Sequence, residues 1–160
     1  MRLNKDFFYT LREDVKDEDS VSGNLLVKSG MIKKVSNGIY MNMPLGERVS
    51  QKVINIVREE MNKAGASEVS MPHMLPMDYF EASGRAENFG SSMFRFNDRY
   101  GRKFALGPTH EEFFVFAAQS KVKSYKDMPF TIYQIGDKYR DEARPRLGLI
   151  RVREFIMKDA

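Results

Sequence analysis

The sequence predicts an α+β fold, an antiparallel sheet with flanking helices, on three observations. Residues 45–64 carry Val49, Val53, Ile56, Val57, Met61 and Ala64 at spacings of three and four, with Glu47, Arg48, Lys52, Arg58, Glu59 and Lys63 between them. That is the period of an amphipathic helix. Residues 93–98 and 102–106 are short strand-like runs joined by Asp98-Arg99-Tyr100-Gly101, a hairpin signature. Residues 130–142 and 152–157 form a second pair of strand-like runs around a loop at 143–148 that holds Pro145 and Gly148. They are expected to pair antiparallel.

Taken in order, residues 1–20 form a charged arm, with Glu13, Asp14, Asp17, Glu18 and Asp19 close together, that packs only if something holds it. Residues 20–29 predict a short helix stopped by Gly30. Ser36-Asn37-Gly38 marks a turn, and residues 39–43 a short strand ending at Pro44. The 45–64 helix ends at Gly65, and Glu68 to Met71 reads as a strand closed by Pro72. Residues 73–91 are loop-rich, with Asp78 placed to cap a short helix reaching Ser83. After the hairpin, Gly107-Pro108 breaks the chain. Residues 109–120 then predict a helix whose Phe113, Phe114, Phe116, Ala117 and Ala118 make a broad buried face. Residues 124–129 form a loop before the last two strands.

Composition narrows the function. The 160 residues include twelve Phe and seven Tyr, enough to build a core. The absence of cysteine excludes a disulfide framework and thiolate metal sites. His73 and His110 lie 37 residues apart, so a zinc site would need carboxylates to complete it. There is no signal-peptide core and no apolar run near the roughly 18 residues that span a bilayer. A soluble, cytoplasmic protein with no membrane partner is expected. No G-x-x-x-x-G-K-S/T and no strand-borne G-x-G-x-x-G occurs, so neither common phosphate-binding loop is signalled.

The charge is concentrated. Residues 138–158 hold seven basic side chains against three acidic ones, and that excess equals the whole chain's net +4. Such a segment suits an anionic ligand such as phosphate or nucleic acid, or is a solvated face. Alternation along a strand puts Arg140 and Glu142 on one face, and Arg151, Arg153 and Phe155 on one face of the returning strand. If the faces coincide, guanidinium groups, a carboxylate and a ring meet in one cleft. Guanidinium grips phosphate and carboxylate, and a ring beside arginine can stack a nucleobase. A cross-strand salt-bridge ladder with Phe155 in the core is the plainer alternative. Elsewhere, Thr109 and Glu112 have the spacing of a helix capping box. That leaves Glu111 unexplained, in a first helical turn where a carboxylate could bind a cationic substrate group.

Arg140-x-Glu142, a loop, then Arg151-x-x-x-Phe155 resembles motif 2 of class II aminoacyl-tRNA synthetases. The helix 45–64 with the strand and Pro72 resembles their motif 1, about 45–72. Gly107-Pro-Thr-His-Glu-Glu112 resembles the Thr-x-Glu amino-acid-binding loop of the subgroup that includes prolyl enzymes. Thr10-Leu-Arg-Glu13, Gly30-Met-Ile-Lys-Lys34, Glu68-Val-Ser-Met-Pro72 and Arg153-Glu-Phe-Ile-Met-Lys-Asp-Ala160 extend the likeness end to end, toward the bacterial-type prolyl-tRNA synthetases. The resemblance implies an N-terminal arm (1–44) packed on an incomplete class II catalytic domain (45–160), with the Thr-x-Glu loop at 107–112 and motif 2 at about 130–158. It implies activation of proline with ATP and transfer to tRNA(Pro). By the same resemblance Thr109 and Glu111 hold the proline imino group, and Arg140 contacts the substrate carboxylate and the ATP α-phosphate. Glu142 binds the adenine amino group or nearby ATP atoms, Arg151 the γ-phosphate, and Phe155 stacks on adenine. Arg144 and Arg146 approach the tRNA acceptor end. Magnesium accompanies ATP, with ligands outside this segment, and motif 1 builds a homodimer. Motif 3, an editing domain and an anticodon-binding domain are not in the 160 residues, so this chain alone is expected to be inactive as a ligase. A synthetase-like protein that binds RNA or a partner without catalysis is the alternative. A threonyl enzyme would require a zinc cysteine that the chain does not have.

Overall fold

The computed structural model describes residues 5–16 and 18–160. Asp17 of the acidic arm and the first four residues therefore lie outside the described residues. The chain forms two compact units, one from the residues up to Ile56 with Glu142–Glu154, the other from Val57–Asp141 with Phe155–Ala160.

In the first unit, α1 (Val21–Lys28) begins where the Ser20 hydroxyl accepts the Gly23 N–H. It stops at Gly30, whose φ of +67° favours glycine and whose added Cβ would lie 2.2 Å from the Tyr9 carbonyl oxygen. The arm is held by Asn24: its side chain accepts the Val15 N–H and donates to the Glu18 carbonyl. Lys28 pairs with Asp14 at 2.8 Å. The buried Glu18 carboxylate accepts the Tyr40 hydroxyl at 2.7 Å. Burial first, and then the hydrogen bond to Glu18 and its charge, push the Tyr40 phenol upward. β1 (Ile32–Ser36) and β2 (Ile39–Asn42) form an antiparallel hairpin around Asn37-Gly38. The turn was predicted, but β1 was not, because Lys33 and Lys34 mask its alternation.

α2 (Pro44–Lys63) matches the predicted helix, with Pro44 at its first position, where a missing N–H costs nothing. Val49, Val53 and Ile56 of its apolar stripe are 45%, 56% and 62% exposed and face solvent, while Val57 and Met61 are half-buried.

In the second unit, β3 (Ser67–Glu68) is shorter than predicted and pairs in parallel with β7 (Ile132–Tyr139), a local addition to the antiparallel pairs of the fold. The sheet order is β3, β7, β8 (Glu154–Asp159). Arg58 reaches Glu68 with Nε at 2.9 Å and Nη2 at 3.2 Å, and the buried Tyr133 donates to Asn62 and Glu68. A second sheet has β4 (Met74–Pro76), β6 (Lys103–Leu106) and β5 (Arg95–Asn97) in that order, antiparallel throughout. The β5–β6 hairpin was predicted. Its turn closes because the Asp98 carboxylate accepts the Tyr100 and Arg102 N–H groups.

β4 and α4 (Arg85–Phe89) lie in the stretch predicted as loop-rich. α3 (Met77–Ala82) starts after Pro76, so Asp78 sits inside its first turn and does not cap it. α5 (Glu111–Gln119) starts after His110. Thr109 is one residue too early to cap it, and the predicted capping box does not form. Of its predicted apolar face only Phe113 is fully buried, while Phe116 is exposed. The core gathers Met71, Leu75, Met77, Phe80, Ala86, Met93, Ala105 and Phe113.

Phe80 is wholly buried in that core. Phe80→Ala is expected to cost about 3–5 kcal/mol of unfolding free energy, measured by urea denaturation.

Candidate functional site

The second unit brings one group of predicted residues together. The loop Gly107–His110 between β6 and α5 is tied on several sides. Its Gly107 N–H donates to the His73 carbonyl, and its Gly107 carbonyl accepts the Tyr139 N–H. The His110 ring donates Nε2–H to the Pro72 carbonyl at 3.0 Å. Gly107 has no room for a side chain, because a Cβ there would lie 2.9 Å from His110 Cε1. Just past the end of β7, Arg140 donates from Nε and Nη2 to the Pro108 carbonyl at 3.3 Å. Its guanidinium lies 5.3 Å from the Phe155 ring centre and 6.0 Å from that of Phe89.

At the other end of the loop, the buried Thr109 hydroxyl donates to the Glu111 carboxylate. Arg85 pairs with Glu111 at 2.6 Å and with Glu112 at 3.4 Å, and the Ser83 hydroxyl donates to Glu112. Partial burial works to raise the Glu111 pKa. The Thr109 hydroxyl, the residue's own N–H and the Arg85 guanidinium outweigh it, and the carboxyl is held below its usual range. The predicted Thr109, Glu111, Arg140 and Phe155 thus share one loop and the strand ends beside it. Their anchors Arg85 and Phe89 were missed, since Gly84-Arg85 carries no spacing signal of its own.

The first unit holds the other predicted group. Glu142 pairs with Arg151 at 2.8 Å and its side chain accepts the Arg144 N–H. The Arg151 contact is the main reason its carboxyl is held low. Arg153 donates from Nε to the Glu142 carbonyl, and Arg146 and Arg151 form an isolated antiparallel bridge. Strand alternation does not place these side chains. β7 ends at Tyr139 and β8 begins at Glu154, so Arg140, Glu142, Arg151 and Arg153 all sit on irregular backbone. The shared-face argument is corrected accordingly, and a Glu142–Arg151 ion pair takes its place.

Residues 94–160 match the family described as tRNA synthetase class II core domain (G, H, P, S and T). Over all 160 residues the chain is 51% identical to a proline–tRNA ligase of Finegoldia magna, and 49% identical to one of Thermotoga maritima. It spans 28% of the length of each of these relatives. Among solved structures, prolyl-tRNA synthetase of Giardia lamblia in complex with prolyl-adenylate superposes with a TM-score of 0.72 at 25% identity. That match covers 80% of this chain and 27% of the other. The prolyl-tRNA synthetase of Cryptosporidium parvum complexed with halofuginone and AMPPNP shares the fold, with a TM-score of 0.75 at 17% identity over 94% of this chain and 33% of the other.

Arg85→Ala should raise the Glu111 pKa, read by 13C NMR titration of the glutamate carboxyls. Because the folded pKa is depressed, the stability Glu111 contributes is present above its unfolded value of about 4.3 and is lost as pH falls through the folded value. That acid-side loss should shrink in the variant.

Proposed function

We propose that the chain belongs with the class II aminoacyl-tRNA synthetases, a reading supported by its match over residues 94–160 and by its fold, and that it has the proline-activating role of such an enzyme. ATP and proline form prolyl-adenylate, and the prolyl group passes to tRNA(Pro). The observation that supports it best is the pairing of opposite charges across one short loop. Glu111, steadied by Thr109, lies at one end, and Arg140, bonded to the Pro108 carbonyl, lies at the other. The two charges complement an amino acid, which carries one cationic nitrogen and one carboxylate.

In this reading Thr109 and Glu111 receive the proline imino group, and Arg140 orients the carboxylate. A carboxylate oxygen attacks the α-phosphorus, the new C–O–P link forms, and the bond to the bridging oxygen breaks with its electrons leaving on pyrophosphate. Arg140 offsets the charge that develops. Two of its donors are engaged by Pro108, and guanidinium has five. Phe155 stacks on adenine with Arg140 behind it. Glu142 binds the adenine amino group, Arg151 the γ-phosphate, and Arg144 and Arg146 the tRNA acceptor end. Magnesium accompanies ATP in this chemistry. Among the described residues no group of three or more His, Asp or Glu is arranged to hold a metal ion, and we assign it no ligand.

The solvent-facing Val49, Val53 and Ile56 support a homodimer through motif 1, about 45–72. No helix among the described residues is long and apolar enough to cross a membrane, and a cytoplasmic enzyme is part of the same proposal. A purely non-catalytic binding role is not favoured by relatives that are themselves proline–tRNA ligases.

The natural gene product should catalyse proline-dependent ATP–pyrophosphate exchange, and none at all would sink the proposal. Arg140→Ala should lower kcat/KM for exchange by about a thousandfold, or ~4 kcal/mol. Glu111→Gln should raise the KM for proline about tenfold and leave that for ATP nearly unchanged. Val53→Glu should convert the dimer to monomer in light scattering.

A further inference from the structure

Leu147 is the one described residue other than glycine with a positive φ, at +62°. A leucine side chain crowds its own backbone there, so the conformation lasts only where neighbours enforce it. Gly148 follows at +61°, and the turn thus carries two left-handed residues in succession. This turn is the tip of the loop that bears Arg144 and Arg146, and it lies wholly in the first unit.

Hydrogen bonds inside the loop close it on itself: the Arg146 N–H donates to the Arg151 carbonyl, and the Ile150 N–H to the Leu147 carbonyl. At the base, the Arg153 N–H donates to the Gly38 carbonyl at 2.8 Å. Pro145 packs so closely on Gly38 that an added Cβ there would lie 2.6 Å from the Pro145 Cβ. At the tip, burial does little. Leu147, Leu149 and Ile150 are 44%, 43% and 78% exposed. A cleft of about 110 Å³, lined in part by Asp19, Lys34, Tyr40 and Arg146, stays open beside the turn. Gly148 rests on the first turn of α1, where its added Cβ would lie 3.0 Å from Gly23 Cα. The polar hold on the tip is Asp19, whose Oδ1 accepts the Leu147 N–H at 3.0 Å. Among the described residues, it is this hydrogen bond that reaches the tip from outside the loop.

We propose that Asp19 is a positioning residue: its carboxylate holds Leu147 in the left-handed conformation and seats the Pro145–Gly148 turn on α1, so that the exposed Arg144 and Arg146 meet the phosphates of the tRNA acceptor end in a fixed direction. The inference rests on the tRNA role that the proline-activation reading gives those arginines. Without the acceptor, Leu147 relaxes to negative φ, the adjoining peptide planes rotate, and the arginines must be ordered anew on binding. The base keeps its tie to Gly38 and the Glu142–Arg151 ion pair, so proline and ATP are bound as before. A carboxylate just before α1 also suits the helix dipole. That role needs the charge, whereas the hold on Leu147 needs only an oxygen acceptor, and asparagine separates the two.

The test compares Asp19→Ala with Asp19→Asn in the natural gene product. Asp19 is exposed, so neither substitution disturbs the core. Asp19→Ala should raise the KM for tRNA(Pro) in aminoacylation about tenfold, and shift the KM values for proline and ATP in pyrophosphate exchange less than twofold. Asp19→Asn, whose amide oxygen accepts the same N–H, should stay within about twofold of the unsubstituted protein for all three. An unchanged KM for tRNA in Asp19→Ala would overturn the proposal. So would an Asp19→Asn variant as impaired as Asp19→Ala, which would trace the effect to charge. Amide hydrogen exchange gives a readout that needs no tRNA. The Leu147 N–H should exchange about tenfold faster in Asp19→Ala than in the unsubstituted protein or Asp19→Asn, with the Arg153 N–H unchanged. Equal rates at Leu147 would also overturn it. Absence of pyrophosphate exchange in the unsubstituted protein strikes the proline-activation reading instead, and the Leu147 amide still decides whether Asp19 holds the tip.

Discussion

The second unit turns on the pinning of one short loop. Gly107–His110 is held from three directions: before β4 by His73, which accepts the Gly107 N–H, and by Pro72, which accepts the His110 ring, at the end of β7 by Tyr139, and beyond it by the Arg140 guanidinium. A loop with buried carbonyls must find such partners or lose a few kcal/mol for each group left unpaired. Here the partners come from separate stretches of chain. Any ligand-facing side chain on the loop therefore inherits its position from both sheets of the unit. That is how an irregular segment reaches the precision usually reserved for strands and helices.

Legibility in the sequence followed the same division. Elements specified by local chemistry were readable: α2 from its period, the β5–β6 hairpin from Asp98 to Gly101, and α1 from Ser20 and Gly30. Elements specified by tertiary contact were not. β4 is three residues long and exists because β6 supplies its partner. β3 contracts to two residues because only Ser67 and Glu68 find a parallel register on β7. The Thr109–Glu112 spacing suggested a cap because capping is a local rule. A partner distant in sequence, Arg85, together with Ser83, drew Glu112 away.

Site residues show the same contrast. Glu111, Arg140 and Phe155 stood out as a first-turn carboxylate and an arginine with a ring, the resemblance gave Thr109 a role beside them, and the fold gathers the four. The strand alternation first used to align Arg140 with Glu142, and Arg151 with Phe155, does not extend that far, since β7 and β8 stop short. Lys138 was visible only as one charge among seven. A net-charge argument treats it as surface, whereas the fold places it at zero exposure opposite a carboxylate.

The Arg85 bridge to Glu111 has a thermodynamic consequence for whatever enters. The acceptor carboxylate is not waiting empty. It already has a resident cation, and an incoming ammonium must displace or share that contact. A plain amine therefore gains little from the exchange, because one cationic partner replaces another. On the proposed reading a zwitterion would gain at both ends, its carboxylate meeting Arg140 while its nitrogen competes for Glu111. The loop would then act as a two-key lock for charge, answering to the combination of ammonium and carboxylate and discounting either one alone.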